Sequence, residues 1–216
     1  MKEKITKLGL FSITQTFFQV GSIMIMAVSA LAGQTLSSDP KSAALPLSLV
    51  IFGTLVGLFP ASYLMRVFGR KRGLLTGTSI GILGSIVISF GLYHHNFIIF
   101  TLGHLLYGFH QSFLQYLRFT AMESVPHKDR ASALSWILIA GIPAAFIGPL
   151  TGLYGKTLFP NFLFLGCFVL LTAVLCIQFL LITQFPQIKK TTEEEIKPVS
   201  YTHLRAHETK ANLVCR

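Results

Sequence analysis

The sequence predicts an all-α membrane protein of six transmembrane helices, and three observations predict it. Hydrophobic residues make up 52% of the chain and charged residues only 12%, where a soluble domain carries roughly 25% charged residues. Six apolar stretches, 8–32, 44–67, 73–93, 96–122, 131–154 and 161–185, each reach the roughly 20 residues that a hydrocarbon core about 30 Å thick requires. The basic residues cluster in the short connections between these stretches, so the formal net charge of +10 reads as a topology signal and not as a nucleic-acid surface.

Runs of this length in hydrocarbon form helices, because each backbone N–H and C=O has to be bonded within its own segment. The first stretch has no small-residue cleavage site closing it and reads as a spanning helix rather than a signal peptide. Its polar residues Ser12, Gln15, Gln19, Ser22 and Ser29 fall within about 100° of one another on a helical wheel, with Met26 on the same face. The second stretch carries Pro60 and runs into a basic turn. The third, with Gly73, Gly77, Gly81 and Gly84, has the small residues that let a neighbouring membrane helix approach closely. On the fourth, His104, Tyr107, Gln111, Gln115 and Arg118 share an arc of about 80°. The fifth contains Gly141, Pro143 and the run Gly148-Pro149-Leu-Thr-Gly152; the sixth carries Cys167 and Cys176 as packing residues. Neither these cysteines nor Cys215 have disulfide or metal-ligand spacing.

Burying unpartnered polar groups against lipid costs several kcal/mol each, so the stripes on helices one and four are expected to face inward. The candidate cavity residues are Gln15, Gln19, Ser22, His104, Tyr107, Gln111, Gln115 and Arg118. Arg118 attracts an anionic group or pairs with Glu123, and His104, which titrates near neutral pH when unperturbed, is a candidate proton-coupling group. The alternative for all of them is helix-to-helix hydrogen bonding.

With the N-terminus inside, the cytoplasmic ends carry Lys2, Lys4, Lys7, Arg66, Arg70, Lys71, Arg72, Lys128, Arg130, Lys189, Lys190 and Lys197, against Lys41 and Lys156 outside. The positive-inside rule then places both ends in the cytoplasm. The organisation expected is a six-helix bundle over 1–186, a polar linker over 187–198, and a stretch over 199–216 that matches the translation of a transposon-type sequencing adapter. That last stretch is set aside from structural reasoning. Gln15/Gln19 and Gln111/Gln115 at equal spacing, with Pro60 and Pro149 in the middle helix of each triplet, hint at an internal repeat of three helices plus three.

The turn Pro60-Ala-Ser-Tyr-Leu-Met-Arg-Val-Phe-Gly-Arg-Lys-Arg-Gly73 resembles the signature loop of major facilitator superfamily transporters, Gly-x-Leu-Ala-Asp-Arg-x-Gly-Arg-Arg. Leu64, Gly69, Arg70 and Lys71 match; Ser62, Arg66 and Val67 depart from it. The resemblance implies that this is a gating loop of Arg66, Gly69, Arg70 and Lys71, although a cation at Arg66 cannot do what the family's loop carboxylate does. Gly148, Pro149 and Gly152 resemble the family's glycine-proline motif, which implies a pliable hinge in helix five. The fold implied is one half of such a transporter, an inverted 3+3 repeat, with a C-terminal six-helix half as partner.

The function expected is transport of a small solute by alternating access in a bacterial inner membrane; a non-transporting membrane scaffold or assembly subunit is the alternative. No catalytic residue, cofactor, metal or nucleic-acid partner is called for. Gly77-Thr-Ser79-Ile-Gly81 fits a Gly-x-Ser-x-Gly pattern but lacks the strand-then-helix context, and His94 with His95 lacks further ligands nearby in sequence.

Overall fold

The computed structural model describes residues 2–37 and 39–185; the expected linker and the adapter-like stretch lie outside them. Eight α-helices occupy the described residues: α1 Lys2–Leu36, α2 Leu45–Phe68, α3 Arg70–Tyr93, α4 Phe97–Gln115, α5 Leu117–Glu123, α6 Arg130–Ile139, α7 Ala144–Lys156 and α8 Leu165–Thr183. They make six membrane spans: α1, α2, α3, α4 with α5, α6 with α7, and α8. The chain is thus an all-α integral membrane bundle, as its composition requires. Two spans are interrupted where a single helix was expected.

Local chemistry accounts for the ends. Gly69 takes φ +91° between α2 and α3, a backbone conformation that side-chain-bearing residues rarely adopt, so the chain reverses there within one residue. At the opposite end of the bundle, the Asn96 side chain accepts from the amides of Ile98 and Ile99, both at 3.0 Å, and so caps α4. Pro143 has no N–H to continue the helix, and α6 stops at Ile139 before α7 begins at Ala144.

The packing has the symmetry of the repeat. Span four packs on spans two and three, span one packs on spans five and six, and spans three and six pack on each other. Exchanging one with four, two with five and three with six maps this set of neighbours onto itself, the arrangement of an inverted 3+3 repeat. Spans two and five have only 28% and 22% of their residues buried inside the bundle, against 44% or more for the other four. Both flank a groove along spans one and four, whose backbones approach each other in few places.

Glycines set the close approaches. A Cβ on Gly108 would collide with the Val50 carbonyl and sit 3.0 Å from Gly53 Cα, so α2 and α4 pack backbone to backbone. Gly148 and Gly152 of α7 instead make room for the side chains of Ile23 and Val28 of α1. The apolar core divides into two clusters, one toward the Asn96 end around Phe100, Phe168 and Leu171, the other toward the Gly69 end around Phe11, Leu74 and Phe113.

Candidate functional site

An open cavity of about 290 Å³ lies in the groove face, lined by Met26 of α1, Leu47, Val50, Ile51, Thr54, Leu55 and Leu58 of α2, and Gln111 of α4. The Thr54 hydroxyl is committed to the carbonyls of Val50 at 2.8 Å and Gly108 at 3.1 Å. The Gln111 amide is therefore the hydrogen-bond donor that this lining offers to an occupant. It supplies two donors and a carbonyl acceptor at the edge of an otherwise apolar surface.

The predicted stripes split into two groups. Gln19, Ser22, Gln111, Gln115 and Arg118 are partly exposed, whereas Gln15, Ser29, His104 and Tyr107 are buried within the bundle. Tyr107 links the groups: its hydroxyl lies against Gly21 of α1, with Ser22 and Gln111 as polar neighbours. His104 is held on both sides. Its Nδ1 is 2.8 Å from the Phe100 carbonyl and its Nε2 2.8 Å from Ser29 Oγ. A carbonyl only accepts, so Nδ1 carries the proton, and Nε2 accepts from the Ser29 hydroxyl. The ring lies between Phe100, tilted at 4.5 Å, and Phe168, edge-on at 5.8 Å. In this state His104 fastens span one to span four.

At the Gly69 end, Arg70 grips Glu123 with two hydrogen bonds, Nε to Oε2 at 2.9 Å and Nη2 to Oε1 at 2.6 Å, and lies 5.8 Å over the Tyr116 ring. Lys71 Nζ donates to the carbonyls of Thr183 at 2.6 Å and Phe185 at 2.8 Å. These are carbonyls at and just past the end of α8, where the helix dipole favours a cation. One basic turn thus ties the ends of spans four and six. Arg66 points away, exposed, 5.9 Å over Tyr63. The expected pairing of Arg118 with Glu123 is corrected: the carboxylate is filled by the planar fork of Arg70, which reaches it across the turn.

In the fifth span the interruption falls at 140–143, and Pro149 sits inside continuous α7. With Pro143 breaking the ladder, the Ala144 amide turns back to Gly141, and the Ala140 carbonyl accepts instead from Thr16 Oγ1 of span one at 2.5 Å. Gly148 and Gly152 serve close packing on α1. Sequence reasoning missed Thr16, since nothing local marks a hydroxyl that serves another helix. It also passed over His110 and Gln178, both fully buried, although a glutamine in the most apolar span was a visible signal.

Six spans in an inverted 3+3 arrangement, with a groove between spans one and four, have the half-bundle architecture found in secondary transporters. The chain belongs to the Major Facilitator Superfamily, whose family model matches residues 10–213, a range that takes in most of the adapter-like stretch. It is 32% identical to the riboflavin transporter RfnT of Brucella anthropi over 169 residues, 77% of this chain and 42% of that protein. It is 28% identical over 147 residues to YddS of Bacillus subtilis, an uncharacterized MFS-type transporter, covering 68% of this chain and 33% of that one. A second uncharacterized MFS-type transporter of Bacillus subtilis, YdeG, is 30% identical over 139 residues, 64% of this chain and 32% of that protein. The chain thus spans less than half the length of these curated relatives.

Proposed function

We propose that this chain supplies the N-terminal six-helix half of a secondary transporter that moves a small solute by alternating access, working against a second six-helix unit. The observation that carries the reading is the groove itself. Ser22, Gln111 and Gln115 stay partly exposed along two spans whose backbones barely meet, and such groups need a polar occupant or a facing partner rather than lipid. Arg66, Gly69, Arg70 and Lys71 form the gating turn, held in this state by Glu123 and the end of α8. The basic residues orient both ends of the bundle toward the cytoplasm.

The solute class follows from the lining. Among the described residues the cavity lining holds no carboxylate, and the partly exposed Arg118 follows Gln115 by three residues on span four, which favours a neutral or anionic solute over a cationic one. An apolar surface with one amide at its edge suits a flat heterocycle that stacks on one side and hydrogen-bonds at its rim. Riboflavin, named for the Brucella relative, has that chemistry, and we infer a flavin-like solute.

The test is uptake and efflux of radiolabelled riboflavin in flavin-auxotrophic cells expressing the full-length gene. Saturable movement above the empty-vector level supports the reading. Gln111→Leu should then raise the half-saturation concentration about two- to tenfold, from loss of a hydrogen bond of about 0.5–1.5 kcal/mol, with insertion unchanged. Riboflavin flux indistinguishable from the vector control in both directions would refute the flavin assignment.

A further inference from the structure

Away from the groove, the centre of the bundle carries polar atoms with nothing to bond: Gln15 Oε1 on span one, His110 Nε2 on span four, and both Nε2 and Oε1 of Gln178 on span six. All three side chains are at most 1% exposed. The Tyr107 hydroxyl, also buried, lies at the same level as Gly21.

Two contacts fix the register of spans one and six. The rings of Phe11 and Phe185 are 4.3 Å apart, and a Cβ on Gly21 would sit 3.0 Å from both Leu171 Cδ1 and Tyr107 Oη. Gln15 and Phe18 follow Phe11 by four and seven residues on α1, and Gln178 follows Leu171 by seven on α8, so these residues are on the facing sides of the two helices. At about 1.5 Å per residue, Gln15 is about 6 Å along α1 from Phe11 and Gln178 about 8 Å along α8 from its end at Thr183, so both lie just inside the Phe11–Phe185 contact. His110 reaches that stretch from span four, its ring 6.0 Å from Phe18 and 5.3 Å from Tyr107.

The level is also where the two apolar clusters meet. His110 comes between Tyr107 of one and Phe113 of the other, and Gln178 between Leu175 and Ile182 in the same way. His110 Nδ1 is 3.1 Å from the Gly77 carbonyl, so it carries the proton and Nε2 is a bare acceptor. Gln15 Oε1 is another acceptor, and Gln178 brings an unspent donor. One water serves three of these four atoms, donating to His110 Nε2 and Gln15 Oε1 while accepting from Gln178 Nε2, and a second donates to Gln178 Oε1; buried groups left over by the protein are served in this way.

We propose that the junction of spans one, four and six binds ordered water through Gln15, His110 and Gln178, a hydrated layer between the two apolar clusters and separate from the groove. His104 supplies an internal contrast. It is as deeply buried, but both its ring nitrogens are bonded within the protein, and its ring is flanked by the apolar Phe100 and Phe168.

The experiment is radiolytic labelling of the full chain in nanodiscs, in which X-rays split water in place and the radicals mark the side chains beside it. Modification is read by mass spectrometry. Phe18 and His110 should be modified on the order of tenfold faster than Phe100 and Phe168, because bound water rather than bulk exposure is the radical source. Gln178→Leu should bring Phe18 down toward the Phe100 and Phe168 pair. Labelling of Phe18 and His110 no faster than Phe100 and Phe168, with exposed Tyr93 and His94 labelled normally, would overturn the proposal on the unmodified chain alone. An unchanged Phe18 rate in folded Gln178→Leu would overturn the role given to Gln178.

Discussion

Removing the hydroxyl of Ser29 tests whether the bond to His104 holds spans one and four together. Both residues are 0% exposed, so in Ser29→Ala water cannot replace the lost donor, and His104 Nε2 becomes a buried acceptor with no partner. In a soluble core that situation costs about 1–3 kcal/mol. Within membranes, double-mutant cycles on comparable pairs average about 0.6 kcal/mol and reach about 1.7, since the unfolded chain also finds partners in the bilayer. The 2.8 Å geometry and full burial place this pair toward the upper end, about 1–1.7 kcal/mol, or a shift of roughly five- to twentyfold in the folded-to-unfolded ratio. His104→Phe keeps an aromatic ring between Phe100 and Phe168 but strands the Ser29 hydroxyl. The double variant strands nothing, and should recover part of the loss. Reversible unfolding in mixed micelles, followed by circular dichroism on all four proteins, yields the coupling. Loss below about 0.3 kcal/mol in Ser29→Ala with additive double-variant behaviour would refute the fastening role.

Three further substitutions probe the packing and the basic turn. Gly108→Ala drives a methyl into the Val50 carbonyl and should destabilise by about 1–3 kcal/mol, measured by the same unfolding assay. Gly9→Ala, where a Cβ would meet nothing within 4 Å, should be neutral or stabilising by up to about 1 kcal/mol. Glu123→Gln leaves Arg70 with a neutral acceptor; the pair is about one-third exposed, with side-chain exposures of 28% and 33%, so the loss should be on the order of 1 kcal/mol and shrink with added salt. A salt-independent loss would show that packing on Tyr116, rather than charge, holds Arg70.

Much of the architecture was legible in the residues because its causes are local. The expected stretch 73–93 and the observed α3 Arg70–Tyr93 agree closely, since length and apolarity in one segment suffice to define a span. Helical periodicity likewise set His104, Tyr107 and Gln111 on one face. It could not say that this face would divide, with His104 sealed against Ser29 and Phe168 while Gln111 opens onto the groove. That outcome depends on how far α4 is drawn toward α2 by Gly53 and Gly108, and toward α3 by glycines such as Gly84.

The sequence by itself determined the membrane class, the number of spans and the location of the basic turn, because hydropathy and charge act residue by residue along the chain. Only the tertiary structure decided which cation takes Glu123, where span five breaks, and which polar groups are spent inside the bundle. Each of these is settled by residues far apart in the chain: Arg70 across the turn, Thr16 against Ala140, Ser29 against His104. A hydrogen bond across two helices needs their relative depth and rotation, and those are set by close packing of the whole bundle.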